Sequence, residues 1–263
     1  MTKNVKIGAA IFLSGVCATS GHAVQTSPHD FTIGLLGNYY QYRETSHNKF
    51  LMHFKGYMVG GLAGYSYTTQ EGFLFGAEID FSGGAVNYDS NRTGSMSNVK
   101  QNKFEGRLKS GKNFHMANGL TLTPYTGFGV RVKSDYMGGR RTSTGHIGYD
   151  RRSTYLYIPV GTKLKKQLSS DWAVEAFGEF DIFLHGIQHS DGVGNHPATT
   201  HTQKRGYGVR GNIEAVKTFS KKHSLSFGPF INFWHVKDSN IVKNSMEPNN
   251  QTIEAGVALK YRF

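Results

Sequence analysis

The chain has 263 residues and a formal net charge of +12, with 30 Lys and Arg against 18 Asp and Glu. Beyond residue 23 no apolar run is long enough for a spanning helix, which excludes a helical membrane protein. The single cysteine, Cys17, excludes a disulfide framework, and 33 Gly with 18 Phe and 14 Tyr against 6 Pro suit strands and tight turns.

In chain order the first element is a leader. Lys3 and Lys6 form a basic n-region, Ile7 to Val16 is a short apolar run, and Gly21-His22-Ala23 offers small residues for cleavage. This predicts a secretory signal peptide over residues 1–23, with Val24 as the first mature residue. Cys17 would leave with it. A nucleic-acid partner does not fit that compartment, and the Lys and Arg residues form no continuous tract.

Period-two alternation then marks ten strands. The first begins Phe31-Thr32-Ile33-Gly34-Leu35. The second, about 54–68, places Tyr57, Val59, Gly61, Ala63, Tyr65 and Tyr67 on one face. Gln70-Glu71-Gly72 turns into the third, where Phe73, Phe75, Ala77, Ile79 and Phe81 alternate with polar or small residues. The fourth covers 103–114, and the fifth carries Leu120, Leu122, Phe128, Val130 and Val132. The sixth places Leu156, Ile158 and Val160 on one face, and the seventh runs from Trp172 to Leu184. The eighth and ninth follow around Tyr207–Ala215 and Leu225–Phe233, and the tenth is Ile253–Phe263. Polar stretches over 88–102, 135–153, 186–205 and 237–251 read as loops and alternate with tight turns.

Long connections at one end, short ones at the other and an even strand count predict an all-β fold. It is a transmembrane, antiparallel, up-and-down β-barrel of ten strands that fills residues 24–263. The closing strand carries Ile253, Ala255, Val257, Leu259, Tyr261 and Phe263 on one face, with Glu254, Lys260 and Arg262 on the other. Its ending resembles the carboxy-terminal signal of Gram-negative outer-membrane proteins. The mature chain resembles small outer-membrane β-barrels of the porin and surface-antigen type. That resemblance implies outer-membrane localisation and recognition by the barrel-assembly machinery through Val257, Leu259, Tyr261 and Phe263.

Charge is costly in lipid, so the apolar face must point outward and the other face must line the lumen. The lumen then carries Glu78, Asp80, Glu105, Glu175, Glu179, Asp181, Glu214 and Glu254 against Arg107, Lys109, Arg131, Lys133, Lys163, Lys165, Arg210, Lys260 and Arg262. A barrel this narrow has room for little beyond side chains. Near-balanced charge predicts interior ion pairs and a closed lumen. A narrow porin-like channel for small solutes is the alternative.

Candidate chemistry is sparse. His185, His189, His196 and His201 lie close in sequence, but their spacing matches no metal-ligand pattern. Omptin proteases, which share the ten-stranded architecture, use acidic pairs and an Asp/His couple. Here Glu78 and Asp80 are two apart, as are His189 and Asp191, although the order of the second pair is reversed. A lipase would need a Ser/His pair at the rim, and no nucleophile-elbow motif is present. No enzymatic activity and no cofactor are therefore expected, an outer-membrane protease of omptin type being the last alternative. Arg140, Arg141, Arg151, Arg152, Lys204 and Arg205 form a candidate loop patch for phosphates or sulfated glycans. The expected function is a surface barrel presenting basic loops, a structural protein or adhesin, with lipopolysaccharide and host surface molecules as partners.

Overall fold

Side chains alternate between two environments along nearly every strand. On the first strand Phe31, Ile33 and Leu35 are exposed, Leu35 at 69%, while Asn38, Tyr40 and Tyr42 on the other face are at most 5% exposed. An ordinary water-soluble sheet would bury the aliphatic face. Here the aliphatic face is bare and the polar face is inside, the inversion that a lipid surround requires.

The computed structural model describes residues 28–263 except 48 and 221. The leader assigned to residues 1–23, with its cleavage point and Cys17, lies outside the described residues. Twelve strands form the sheet: β1 (His29–Ser46), β2 (Lys49–Thr68), β3 (Phe73–Ser90), β4 (Gly94–Lys112), β5 (Phe114–Met116), β6 (Leu120–Tyr136), β7 (Arg151–Gln167), β8 (Trp172–Ser190), β9 (Thr199–Gln203), β10 (Gly206–Thr218), β11 (Ser224–Val236) and β12 (Asn249–Arg262). β5 continues the line of β4 after a break at Asn113, and β9 continues into β10 after a break at Lys204-Arg205. The wall is therefore the ten-stranded antiparallel barrel expected. β1 pairs with both β2 and β12, which closes it.

The break at Asn113 is local chemistry. Its N–H donates to the Gly72 carbonyl at 2.8 Å, and Thr123 donates to its side-chain oxygen at 2.6 Å. Gly72 itself has φ +84°, and a Cβ there would stand 3.0 Å from the Asn113 carbonyl oxygen. Only glycine fits that turn without strain.

The polar stretches prove to be mostly strand at their edges. The third and fourth barrel strands, β3 and β4, meet across residues 91–93 alone, and the other long connections shrink to 137–150, 191–198 and 237–248. At about 3.4 Å per residue and a tilt near 45°, an 18-residue strand rises roughly 40 Å, more than the roughly 25 Å apolar band needs. The surplus lies at the loop end. There the outward positions turn polar: Gln41 and Arg43 follow Tyr39 on β1, and Lys55 and His53 follow Tyr57 on β2. Alternation alone could not separate these extensions from loops, because their outward face carries no apolar signal.

β-Bulges change the facing within three of these extensions, on β2 at Leu51, on β4 and on β8. Leu156 pairs with His185 but Tyr157 pairs with Phe183, so Leu184 is the extra residue on β8. One inserted residue exchanges the two faces. Before the bulge Glu175, Glu179, Asp181 and Phe183 point inward; after it Gly186 and Gln188 do. A similar shift on β4 sets Met96 and Val99 both on the inside.

Candidate functional site in the lumen and at the rim

The lumen is filled in layers. Nearest the short turns, Arg262 grips Glu175 with two hydrogen bonds of 2.7 Å, Lys260 meets Glu214 at 2.5 Å, and Glu78 receives Lys109 at 2.7 Å and Arg107 at 2.9 Å. These side chains, with Lys163, line a chamber of about 250 Å³.

Above that chamber the charges interlock across the barrel. Arg210 contacts Glu105 at 2.6 Å, Asp181 at 2.9 Å and Glu179 at 3.0 Å. Arg131 bridges Glu254 at 2.5 Å and Glu105 at 3.3 Å, and Lys103 joins Glu254 at 2.8 Å to Asp80 at 3.3 Å. Arg107 adds Glu179 at 3.3 Å, and the Tyr157 hydroxyl donates to Glu105. Arg131, Glu105, Arg210 and Glu254 are at most 4% exposed. Each acidic lumen residue named from the sequence takes part in one of these two layers, whereas Lys133 meets Asp135 at 3.4 Å nearer the mouth. Burying ions is costly, and a network offsets that cost only when nearly every member is paired.

A third layer is apolar. Tyr40, Tyr42, Phe54, Met58, Val86, Met96, Val99 and Met137 form one cluster, and Tyr155, Tyr157, Phe183, Trp234 and Val236 form a second. Arg131 and Arg210 lie 5.7 and 5.9 Å from the Trp234 ring, so the aromatic layer caps the ionic one with cation–π contacts. This layer was missed from the sequence. Its signal was present in β1, where Tyr40 and Tyr42 fall on the face opposite Ile33 and Leu35.

The fourth layer sits at the extracellular mouth. Arg151 meets Glu44 at 2.6 Å and Asp135 at 3.1 Å, and the Tyr42 hydroxyl contacts Glu44 at 2.9 Å and Glu247 at 3.0 Å. Burial, followed by the neighbouring Glu44 carboxylate, pushes the Glu247 carboxyl up to about 7. Arg151 was grouped with the loop patch, and this is corrected: it points inward, 8% exposed, because its position on β7 shares the face of Ser153 and Tyr155.

The rest of the patch is spread over the rim. Arg140 is exposed but donates to the carbonyls of Asn98 at 2.8 Å and Ser97 at 2.7 Å, and Arg141 donates to Gly145 at 2.9 Å. Arg152 is exposed on the outer face of β7, and Lys204 and Arg205 are exposed in the break before β10.

The four histidines do not converge. His189 is exposed on the outer face, where its side chain lies 3.3 Å from Asp191, and His196 is exposed in the tip of the 191–198 loop. His185 is half-buried beside the bulge, whereas His201 faces inward, 4% exposed, and touches Ser245. Among the described residues no three metal-ligating side chains of His, Cys, Asp or Glu gather. Glu78 and Asp80 lie in the half of β3 near the short turns, and His189 and Asp191 lie at the opposite end of the barrel. These four residues build no common site.

No family model and no curated protein matches the chain. Among solved structures it is similar to the outer membrane protease OmpT from Escherichia coli, at 12% identity and TM-score 0.61, covering 92% of this chain and 99% of that one. The NalP autotransporter translocator domain from Neisseria meningitidis gives 10% identity, 92% and 90% coverage and TM-score 0.46. The Pseudomonas putida toluene transporter TodX gives 8% identity, 90% coverage of each chain and TM-score 0.36.

The chain thus has the fold of outer-membrane β-barrels, closed on ten strands. The expectation of no enzymatic activity is corrected here. The OmpT match shows that this architecture is the scaffold of a protease, so the fold gives no ground for excluding catalysis.

Proposed function

We propose that the protein resides in the outer membrane and works at its extracellular rim rather than through its lumen. On this reading it is a surface protein whose exposed rim cations bind anionic groups. Lipopolysaccharide phosphates are the nearest such groups, and sulfated host glycans are the adhesin counterpart. The barrel-assembly machinery would insert it.

The observation that carries the reading is the filling of the lumen. Ion pairs around Arg131 and Arg210 occupy its middle, and two aromatic clusters, one with Tyr40 and Phe54 and one with Trp234, pack beside and above them. A conducting pore instead needs a continuous wet path through the lumen. Exposed Arg140, Arg141, Arg152, Lys204 and Arg205 remain for contacts outside the lumen.

Two measurements test this. In planar bilayers the purified barrel should show no stable large open state; finding one overturns the closed-lumen half. Retention on heparin and on lipopolysaccharide vesicles should fall when Arg152, Lys204 and Arg205 are replaced by Ala; unchanged retention overturns the rim half.

A further inference from the structure

The chamber between the ionic layer and the short turns is open at one end. Inside the barrel wall the Glu78 and Lys165 side chains are each 38% exposed, so solvent reaches them from the turn end. Beyond them the side chains of Glu105 and Arg131 are at most 2% exposed, and that end is shut. Short turns face the periplasm in barrels of this kind, so the chamber is a pocket on the periplasmic side.

Charge is divided unevenly along the barrel axis. In the ionic layer carboxylates are in surplus, with Glu105, Asp181 and Glu179 sharing Arg210. In the chamber the surplus is cationic. Its wall carries seven Lys and Arg side chains against five carboxylates. Lys109 and Arg107 share Glu78, and Arg107 also reaches Glu179. Arg262 and Lys165 share Glu175. Lys163, on the inner face of β7 two residues before Lys165, is half-buried. Among the described residues it alone of the chamber's cations has neither an ion pair nor a hydrogen bond. It feels the field of Glu175, which is already held twice.

We infer that this chamber binds a small oxyanion of the phosphate class, with Lys163 as its unpaired cation. Size sets the first limit. About 250 Å³ is short of the roughly 300–1,000 Å³ of pockets that enclose drug-sized molecules, so the ligand is compact. Charge sets the second. A phosphate group carries roughly two negative charges near neutral pH, which matches the cationic surplus of the wall. Donor chemistry is the third. A lysine ammonium offers three rotatable donors and arginine a planar fork, and both suit phosphate oxygens. A pocket of low dielectric that is shut at its far end focuses the positive field and raises the local concentration of anions.

The site lies at the opposite end of the barrel from the rim cations and shares none of them. Isothermal titration of inorganic phosphate into the full-length barrel in non-ionic detergent, at fixed ionic strength, should show saturable binding at a single site. Lys163→Ala should weaken it about tenfold or more, the loss expected for a hydrogen bond to a charged group. Lys163→Cys should weaken it likewise, and 2-aminoethyl methanethiosulfonate, which restores an ammonium at that position, should recover it. Lys55→Ala, which removes an exposed charge from the outer face of β2, should leave it unchanged. No saturable binding, unchanged affinity in Lys163→Ala, equal loss in Lys55→Ala, or no recovery on modification would each overturn the proposal. Heat-modifiable electrophoretic mobility confirms that each variant is folded. Heparin and lipopolysaccharide retention depend on other residues, so the rim reading and this one fail separately.

Discussion

Tyr157 and Gly129 face each other across β6 and β7, and the phenol ring fills the space where a Gly129 side chain would stand. A Cβ there would approach the ring to 2.1 Å. The same two strands repeat the arrangement in reverse, with Tyr125 over Gly161, where a Cβ would come within 2.7 Å of the ring and its hydroxyl. Glycine thus lets two aromatic rings lie against the wall. One of them, Tyr157, carries its hydroxyl to Glu105 in the ionic layer.

Gly129→Ala should therefore disturb the centre of the lumen. Overpacking of this kind costs about 1–3 kcal/mol. Urea unfolding in detergent should show a lower midpoint, whereas Gly139→Ala should act through its φ of +72° alone, with open space around it.

Arg131→Ala leaves Glu254 and Glu105 each short of a partner in a buried setting. Breaking a buried pair this way costs about 3–5 kcal/mol. Replacing both sides, Arg131→Met with Glu254→Leu, should recover part of that loss. A double variant no more stable than Arg131→Ala would show that the partners left behind, Lys103 and Glu105, carry the cost.

The strand-closing contact also makes a testable demand. Phe31 and Phe263 exchange backbone hydrogen bonds of 3.0 and 2.9 Å and stack their rings 5.9 Å apart. Deleting Phe263 removes both bonds and should lower the folded fraction in the outer membrane. Unaltered heat-modifiable mobility and surface exposure would contradict this.

Glu247 should make the 237–248 segment pH-sensitive. Its carboxyl is pushed up to about 7 from an ordinary 4.5 by burial and by Glu44, while Arg151, Lys133 and Tyr42 face it and favour the charged form. A raised pKa means the docked state holds the proton more tightly than the released state. Docking is therefore strongest below about 4.5 and weakens as pH rises through about 7. Hydrogen exchange of the segment, compared at pH 5.5 and pH 8, should show the difference, and Glu247→Gln should abolish it.

Much of the barrel was readable because lipid forces a strict inside–outside alternation. Ile33, Leu35, Phe75 and Ile79 declared the outer face, and the interleaved Glu78 and Asp80 declared the inner one. What was not readable lay where that rule lapses. Above the apolar band the outer face is polar, so β3 and β4 looked like loop beyond Tyr88. The bulge at Leu184 reverses facing, so His189 points outward although it shares parity with Asp181. Arg151 looked like loop charge because Arg152 beside it is loop-like in composition. His201 of β9 and Ser245 of the 237–248 loop meet only through the packing of two segments far apart in sequence.

The strand extensions have a mechanical consequence. Loops borne on flexible linkers would sample a broad volume over the cell surface. Here roughly a third of each long strand's rise continues as hydrogen-bonded sheet past the lipid, by the lengths given above. Whatever docks at the rim is held at a set standoff and angle, on a stiff collar that transmits pulling force directly into the barrel wall.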